Sequence, residues 1–208
     1  MTFDDLQPIL ARCDDQTSRS LPNGARFIRQ LPEQGPLAFF HYLPSPANDE
    51  VLLRIEAALG RTIPLQFRDL LKRTNGPCLF DKQLSFNGAE ERLSRSLKLE
   101  DHIAVSLLFE NETFSVARRA RWNDGWMRIG AVSGWSTQHE LQANVLGLCA
   151  IVSKDGASIE LDSFGEMLAV LVGIVSPLVP CSGLTEDEYG PLETALCNLF
   201  SAERVSNR

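Results

Sequence analysis

Residues 48–80, NDEVLLRIEAALGRTIPLQFRDLLKRTNGPCLF, read as two short amphipathic helices joined by a tight connection. Asn48 carries a side-chain oxygen able to accept from the free amides of a first helical turn, which marks an N-cap. Leu52, Ile55 and Leu59 recur at helical spacing and build one apolar face, with Val51 and Ala58 beside it. Gly60 can adopt the left-handed conformation that ends a helix without a Cβ penalty. Pro64 suits the first position of the next helix, where no amide hydrogen is needed. Phe67, Leu70, Leu71 and Thr74 form the second face, and Asn75-Gly76 closes it. Two amphipathic helices held at a fixed angle make a scaffold for binding; nothing in this stretch is reaction chemistry.

Glu56, Leu59-Gly60, Ile63-Pro64, Phe67, Leu70-Leu71 and Asn75-Gly76 resemble the opening signature of the SUKH superfamily. That superfamily includes bacterial toxin-immunity proteins and a fungal cell-wall synthesis regulator. Two further stretches resemble it in the same order. Trp126-Met127-Arg128-Ile129-Gly130 is similar to its Ile-Gly strand, and residues 161–168 (LDSFGEML) to its closing strand and helix start. The resemblance spans residues 48–175. It departs from the signature at Pro77, where a second glycine is usual, and at Ser133-Gly134-Trp135 after the Ile-Gly strand. It implies a mostly antiparallel sheet with helices packed on it.

The residues outside the signature agree with that implication. Residues 2–13 read as a helix with Phe3, Leu6, Ile9 and Leu10 on one side and Pro8 against it. Residues 25–31 and 36–43 suit strands, separated from the first helix by the turn Pro22-Asn23-Gly24. Residues 79–86 suit one short strand, 90–99 a surface helix or loop, 103–109 a strand or helix, and 112–122 a helix. A strand is expected over 126–132. The apolar run centred on 146–152 precedes Lys154-Asp155-Gly156, whose Asp-Gly favours a primed hairpin turn with 157–161 pairing back. Ser163 and Glu166 form a capping box ahead of an apolar helix to about residue 175, stopped by Pro177 and Pro180. Leu192, Leu196, Leu199 and Phe200 mark the face of a last helix. Hairpins with helices at both ends predict an α+β fold. The expected organisation is an N-terminal extension over 1–47, an α+β domain over 48–176, and a helical C-terminal extension over 177–208.

At 208 residues the chain can enclose one sizeable core. Its 44% hydrophobic and 23% charged residues are ordinary for a globular protein. A formal net charge of −7 argues against direct nucleic-acid binding, which rests on basic patches that displace counterions. Five widely spaced cysteines (Cys13, Cys78, Cys149, Cys181, Cys197) without a C-x-x-C pair read as reduced, mostly buried thiols. The first ten residues carry Asp4 and Asp5 and no basic run, unlike a signal peptide. The longest apolar run, residues 167–175, falls short of the roughly 20 residues needed to cross a bilayer. A cytoplasmic location, with no membrane partner, is the expectation.

Reaction chemistry is hard to find. His139-Glu140 begins like a zinc-protease motif, but Ala143 stands where the second histidine belongs, so His139 reads as a loop residue in solvent. There is no G-x-S-x-G, no P-loop and no dinucleotide fingerprint. A thiol mechanism at Cys149 with His139 as base would need a contact the sequence does not display. No catalytic residue, cofactor or metal ligand is assigned. Trp122 and Trp126 read as core, whereas Trp135, between Gly134 and Ser136, reads as a loop anchor for a partner. Charged and polar residues around it, Glu90, Glu91, Glu110, Glu112, Asp124 and Gln138, complete the expected partner surface. The resemblance implies an immunity protein that neutralises a cognate toxin, for which a basic nuclease would be a complementary partner. The alternative is a regulatory scaffold or adaptor for a host signalling or secretion protein. An enzyme of unfamiliar type, using Cys149 or the acidic residues, is the third reading.

Overall fold

The computed structural model describes residues 1–89, 105–134, 136–185 and 189–206. Among these, nine strands form one sheet in which every strand pairs antiparallel with the next in sequence. They are β1 (Arg19–Ser20), β2 (Arg26–Gln30), β3 (Phe39–Leu43), β4 (Cys78–Leu79), β5 (Leu84–Phe86), β6 (Trp126–Ser133), β7 (Gln138–Asn144), β8 (Cys149–Val152) and β9 (Ser158–Leu161). Helices occupy the long connections. They are α1 (Gln7–Cys13), α2 (Asp49–Leu59), α3 (Leu65–Arg73), α4 (Leu107–Ala117), α5 (Arg119–Asn123), α6 (Phe164–Leu178) and α7 (Tyr189–Ser206). The fold is α+β, as expected.

The two signature helices form for the local reasons their residues suggest. The Asn48 side chain accepts from the Val51 amide at 2.9 Å, and Gly60 takes φ 67° at the end of α2. Pro64 sits one position earlier than expected, as the N-cap of α3, with an extended ψ of 133°. Glu56 explains why an acid belongs in the signature. Its carboxylate accepts from the Ile63 amide at 3.0 Å and pairs with Arg68 at 2.7 Å, fixing the α2–α3 connection. Asn75 reaches across to accept from the Ala89 amide at 2.6 Å.

One large core lies against a face of the sheet. It gathers Leu6 and Leu10 from α1, Leu52 and Ile55 from α2, Phe67 and Leu71 from α3, and Leu171 and Val175 from α6. The rings of Phe67, Phe86 and Phe164 meet at 5.6–6.4 Å and join α3, β5 and α6. Gly130 is required where β6 crosses β5, because a Cβ there would lie 2.2 Å from the Ser85 carbonyl oxygen. A bulge between Arg128 and Gly130 accompanies this approach. The opposite face carries smaller clusters, around Phe27 and Tyr42 and around Trp126, Ala150 and Val152.

Several expectations need correction. The single strand over 79–86 is two strands, β4 and β5, separated by Phe80, Asp81 and Lys82, all at positive φ. The helix over 112–122 is two helices, because Arg118 (φ −125°, ψ 44°) interrupts them. Leu146 is not a strand residue; it lies at the exposed tip of the β7–β8 hairpin, where Asn144 accepts from the Leu146 and Leu148 amides. The capping box is offset: Ser163 accepts from the Glu166 amide, but Glu166 reaches the amide of Asp162. Pro177 falls inside the last turn of α6, which runs on to Leu178. Cys13 and Cys181 are not thiols. They form a disulfide that joins the end of α1 to the segment after α6. The expectations for 90–99 and for the start of 103–109 fall outside the described residues.

Candidate functional site

Among the described residues the most unusual backbone is the β4–β5 connection. Phe80, Asp81 and Lys82 take φ values of 55°, 53° and 68° in succession. Left-handed backbone is costly for residues with a Cβ, and a bulky aromatic suffers most. Tertiary hydrogen bonds hold the run in place. The Phe80 amide donates to Nδ1 of His41 at 3.2 Å, and the Asp81 amide donates to the Phe40 carbonyl at 2.8 Å. His41 is fully buried between the Phe40 and Phe80 rings. Burial drives its pKa down to about 3, so the ring is neutral and its acceptor nitrogen stays available.

This turn delivers three polar side chains to one place. Asp81 is buried, and its carboxylate accepts from the Gln34 side-chain amide at 2.7 Å. Burial raises its pKa; the Gln34 bond, the Lys82 ammonium and a bond from the Leu184 backbone amide act in the other direction. The Gln83 side chain, 5% exposed, donates to the Asp81 carbonyl at 3.1 Å and to the Tyr189 hydroxyl at 3.4 Å. Its carbonyl oxygen has no hydrogen-bond partner. These groups, with Ser133 at the end of β6 and Gly134 of the β6–β7 connection, line an open cleft of about 370 Å³.

The residues expected at a partner surface are spread more widely. Glu110, on α4, is bonded to Arg128 of β6 at 2.7 Å, with both side chains about one-fifth exposed. Between them, buried Asn111 accepts from the Arg128 amide and donates to its carbonyl, each at 2.8 Å. Glu112 is exposed on the same helix. Phe109 and Val116 of α4 are also exposed. Asp124 is exposed in the turn before β6, whereas Gln138 is exposed at the start of β7, opposite Ser133. Seven residue steps of strand separate the two ends of β6, about 23 Å at ~3.3 Å per step, so Asp124 and Gln138 do not share a patch. Glu90, Glu91 and Trp135 lie outside the described residues. Trp126 is buried with the Arg121 guanidinium over its ring, and half-buried Trp122 lies under that of Arg61.

The β4–β5 cleft was missed by sequence reasoning. Phe-Asp-Lys carries no glycine and no turn signature, so nothing local announces it. None of the described residues expected at the partner surface is among those that line the cleft, whose border at Ser133 and Gly134 lies where β6 ends.

His139 is corrected in position. It is 5% exposed on β7, its ring 4.9 Å from that of Phe200, and burial lowers its pKa. The Cys149–His139 dyad is not assembled. Cys149 pairs in register with Ala143, four residues along β7 from His139, which is about 13 Å of strand. Burial pushes the Cys149 thiol up to about 12 and that of Cys78 to about 11, away from the thiolate a nucleophile needs. Among the described residues no group of three or more His, Cys, Asp or Glu is placed to hold a metal ion. No described helix is long and apolar enough to cross a membrane.

Residues 46–138 match the SMI1 / KNR4 family (SUKH-1), a match over somewhat less than half of the chain that supports membership of the SUKH superfamily. The match covers the two-helix signature and the Ile-Gly strand; the LDSFGEML stretch lies beyond it. No curated protein and no solved structure matches the chain. Members of the superfamily are generally non-catalytic immunity or regulatory proteins.

Proposed function

We propose that this protein is a non-enzymatic binding module, an immunity protein that binds a cognate bacterial toxin in the cytoplasm and blocks it. The observation carrying the reading is the SUKH-1 match over residues 46–138. The high thiol pKa values of Cys78 and Cys149 and the separation of Cys149 from His139 are consistent with it. The net charge of −7 favours a basic partner such as a nuclease, whose active site an acidic surface would cover. Contacts would come from the region between Glu90 and Gln138: Glu90, Glu91, Glu110, Glu112, Asp124, Trp135 and Gln138. In this reading residues 48–176 are the binding domain, and the flanking segments 1–47 and 177–208 tune partner choice.

The test is co-expression in a bacterial host. The toxic effector encoded beside this protein is induced with and without it, and a tagged pull-down follows. Survival with a stable complex with that one partner is the expected result. Death of the host with no complex formed overturns the reading for that pair. The fungal cell-wall synthesis regulator that the superfamily includes favours a second reading, an adaptor for a host signalling or secretion protein. Under it the pull-down recovers a non-toxic partner.

A further inference from the structure

We propose that the β4–β5 cleft is a receptor for a basic side chain, the arginine or lysine of a partner protein, held through the Asp81 carboxylate and the Gln83 side-chain oxygen. This inference rests on the binding-module reading and identifies a contact it would use.

The unmatched group in the cleft is an acceptor. Gln83 is 95% buried as a residue, so leaving its carbonyl oxygen without a donor is costly. Its orientation is determined by its neighbours. The amide nitrogen faces the Asp81 main-chain carbonyl, and a flipped amide would set two acceptors against each other there. The free oxygen is therefore the acceptor end. Asp81, which also lines the cleft, accepts from the Gln34 side chain and from the Leu184 backbone amide. A carboxylate offers about four acceptor directions, so it retains capacity for an incoming donor.

Charge points the same way. Glu33 acts on Asp81, and Glu193 stands at the Gly134 rim, where Ser136 donates to it. Lys82, exposed and also in the lining, is the opposing cation. Three carboxylates against one ammonium leave the cleft negative. A positively charged N–H donor suits a cleft whose lining holds a buried carboxylate and an unmatched acceptor, whereas an anion suits neither. The backbone favours the same conclusion. Three consecutive left-handed residues bring Asp81 and Gln83 into the cleft lining, and such costly geometry persists where the surrounding structure determines it.

The test uses the full chain and small probes. Isotope-labelled protein is titrated at neutral pH with Nα-acetyl-arginine methylamide, its lysine counterpart and the citrulline analogue. Citrulline keeps the shape of arginine and removes its charge. Saturable shifts of the Gln83 side-chain amide and the Gly134 amide with arginine or lysine, at least tenfold weaker with citrulline, are expected. Asp81→Asn should weaken arginine binding at least tenfold. Asparagine tolerates the left-handed backbone and can still accept from Gln34, so this variant should fold. No shift at Gln83, or equal shifts with arginine and citrulline in the unaltered protein, overturns the proposal without reliance on any variant. The outcome is separable from toxin rescue. A rescued host with a cleft indifferent to arginine sinks this inference alone, and arginine binding without a toxin partner sinks the immunity reading alone.

Discussion

Acidification should unfold this protein earlier than its carboxylates require, because His41 must stay neutral for the β4–β5 turn to exist. Its pKa is about 3 in the fold, against 6.5 for a free imidazole. A base with a depressed folded pKa takes up protons mainly in the unfolded chain. Its stabilising contribution is complete above pH 6.5 and drains away as pH falls toward 3. At pH 5.5 the unfolded chain is favoured about elevenfold by this group alone, or about 1.4 kcal/mol. His139 is also depressed by burial and adds in the same direction. Asp81, raised by burial, works in the opposite sense and partly offsets them as the pH drops further.

The assay is urea denaturation at pH 7.5, 6.5 and 5.5, above the range of ordinary carboxylates, together with the His41 ring signal by NMR. A loss of at least about 1 kcal/mol between pH 7.5 and 5.5 is expected. The His41 ring should not titrate above pH 4. His41→Asn keeps an acceptor near the Phe80 amide and lacks a titrating ring, so it should remove the His41 part of the slope. A His41 midpoint between 6 and 7, or stability unchanged across the window, would refute the reasoning. The cause reaches the proposed binding site. Protonation turns Nδ1 from acceptor to donor, sets it against the Phe80 N–H, and releases the turn that carries Asp81.

Asn111→Leu should cost about 1–3 kcal/mol in chemical denaturation, because the Arg128 amide loses its buried acceptor while the Arg128 carbonyl keeps only Asn87 at 3.2 Å. Gly130→Ala should cost about 3 kcal/mol or more, or yield no folded protein, since its Cβ would strike the Ser85 carbonyl; a small change would disprove the close crossing of β5 and β6. Replacing Cys13 and Cys181 by serine should destabilise the fold by up to about 5 kcal/mol on chain-entropy grounds, the bridge closing a separation of 168 residues. Mass spectrometry of the denatured, unreduced chain should find three alkylated cysteines, Cys78, Cys149 and Cys197; five would remove the bridge from the argument.

Elements set by neighbours in sequence were legible. Asn48, Gly60 and the spacing of Leu52, Ile55, Phe67 and Leu71 each act within a turn or two of helix, so α2 and α3 could be read directly. The Asp155-Gly156 hairpin was legible for the same reason. The strand β7 was not. QHELQAN looks polar, yet His139, Leu141 and Ala143 turn to the core, and Gln142 is buried on the other face under Arg121, whose Nε donates to it at 2.6 Å. The period-2 placement of His, Leu and Ala was the available signal. The Cys13–Cys181 pairing had none, because 168 residues separate partners that only the packing of α1 beside α6 brings together.

The cleft was illegible for a deeper reason. Local preference and tertiary demand disagree at Phe80, Asp81 and Lys82, and tertiary demand wins. A reader of sequence expects an extended strand there, and aromatic Phe80 encourages that reading. The left-handed run exists because His41, 39 residues away, offers an acceptor to the Phe80 amide, and because Phe40 takes the next one. Such conflicts are expected where structure serves something beyond stability. Here the conflict leaves a buried carboxylate and a residue with an unmatched amide oxygen in the lining of one cleft, next to the connection after the Ile-Gly strand. The signature helices explain why the domain folds, while the part of the chain that breaks the local rules is where a partner's side chain would be received.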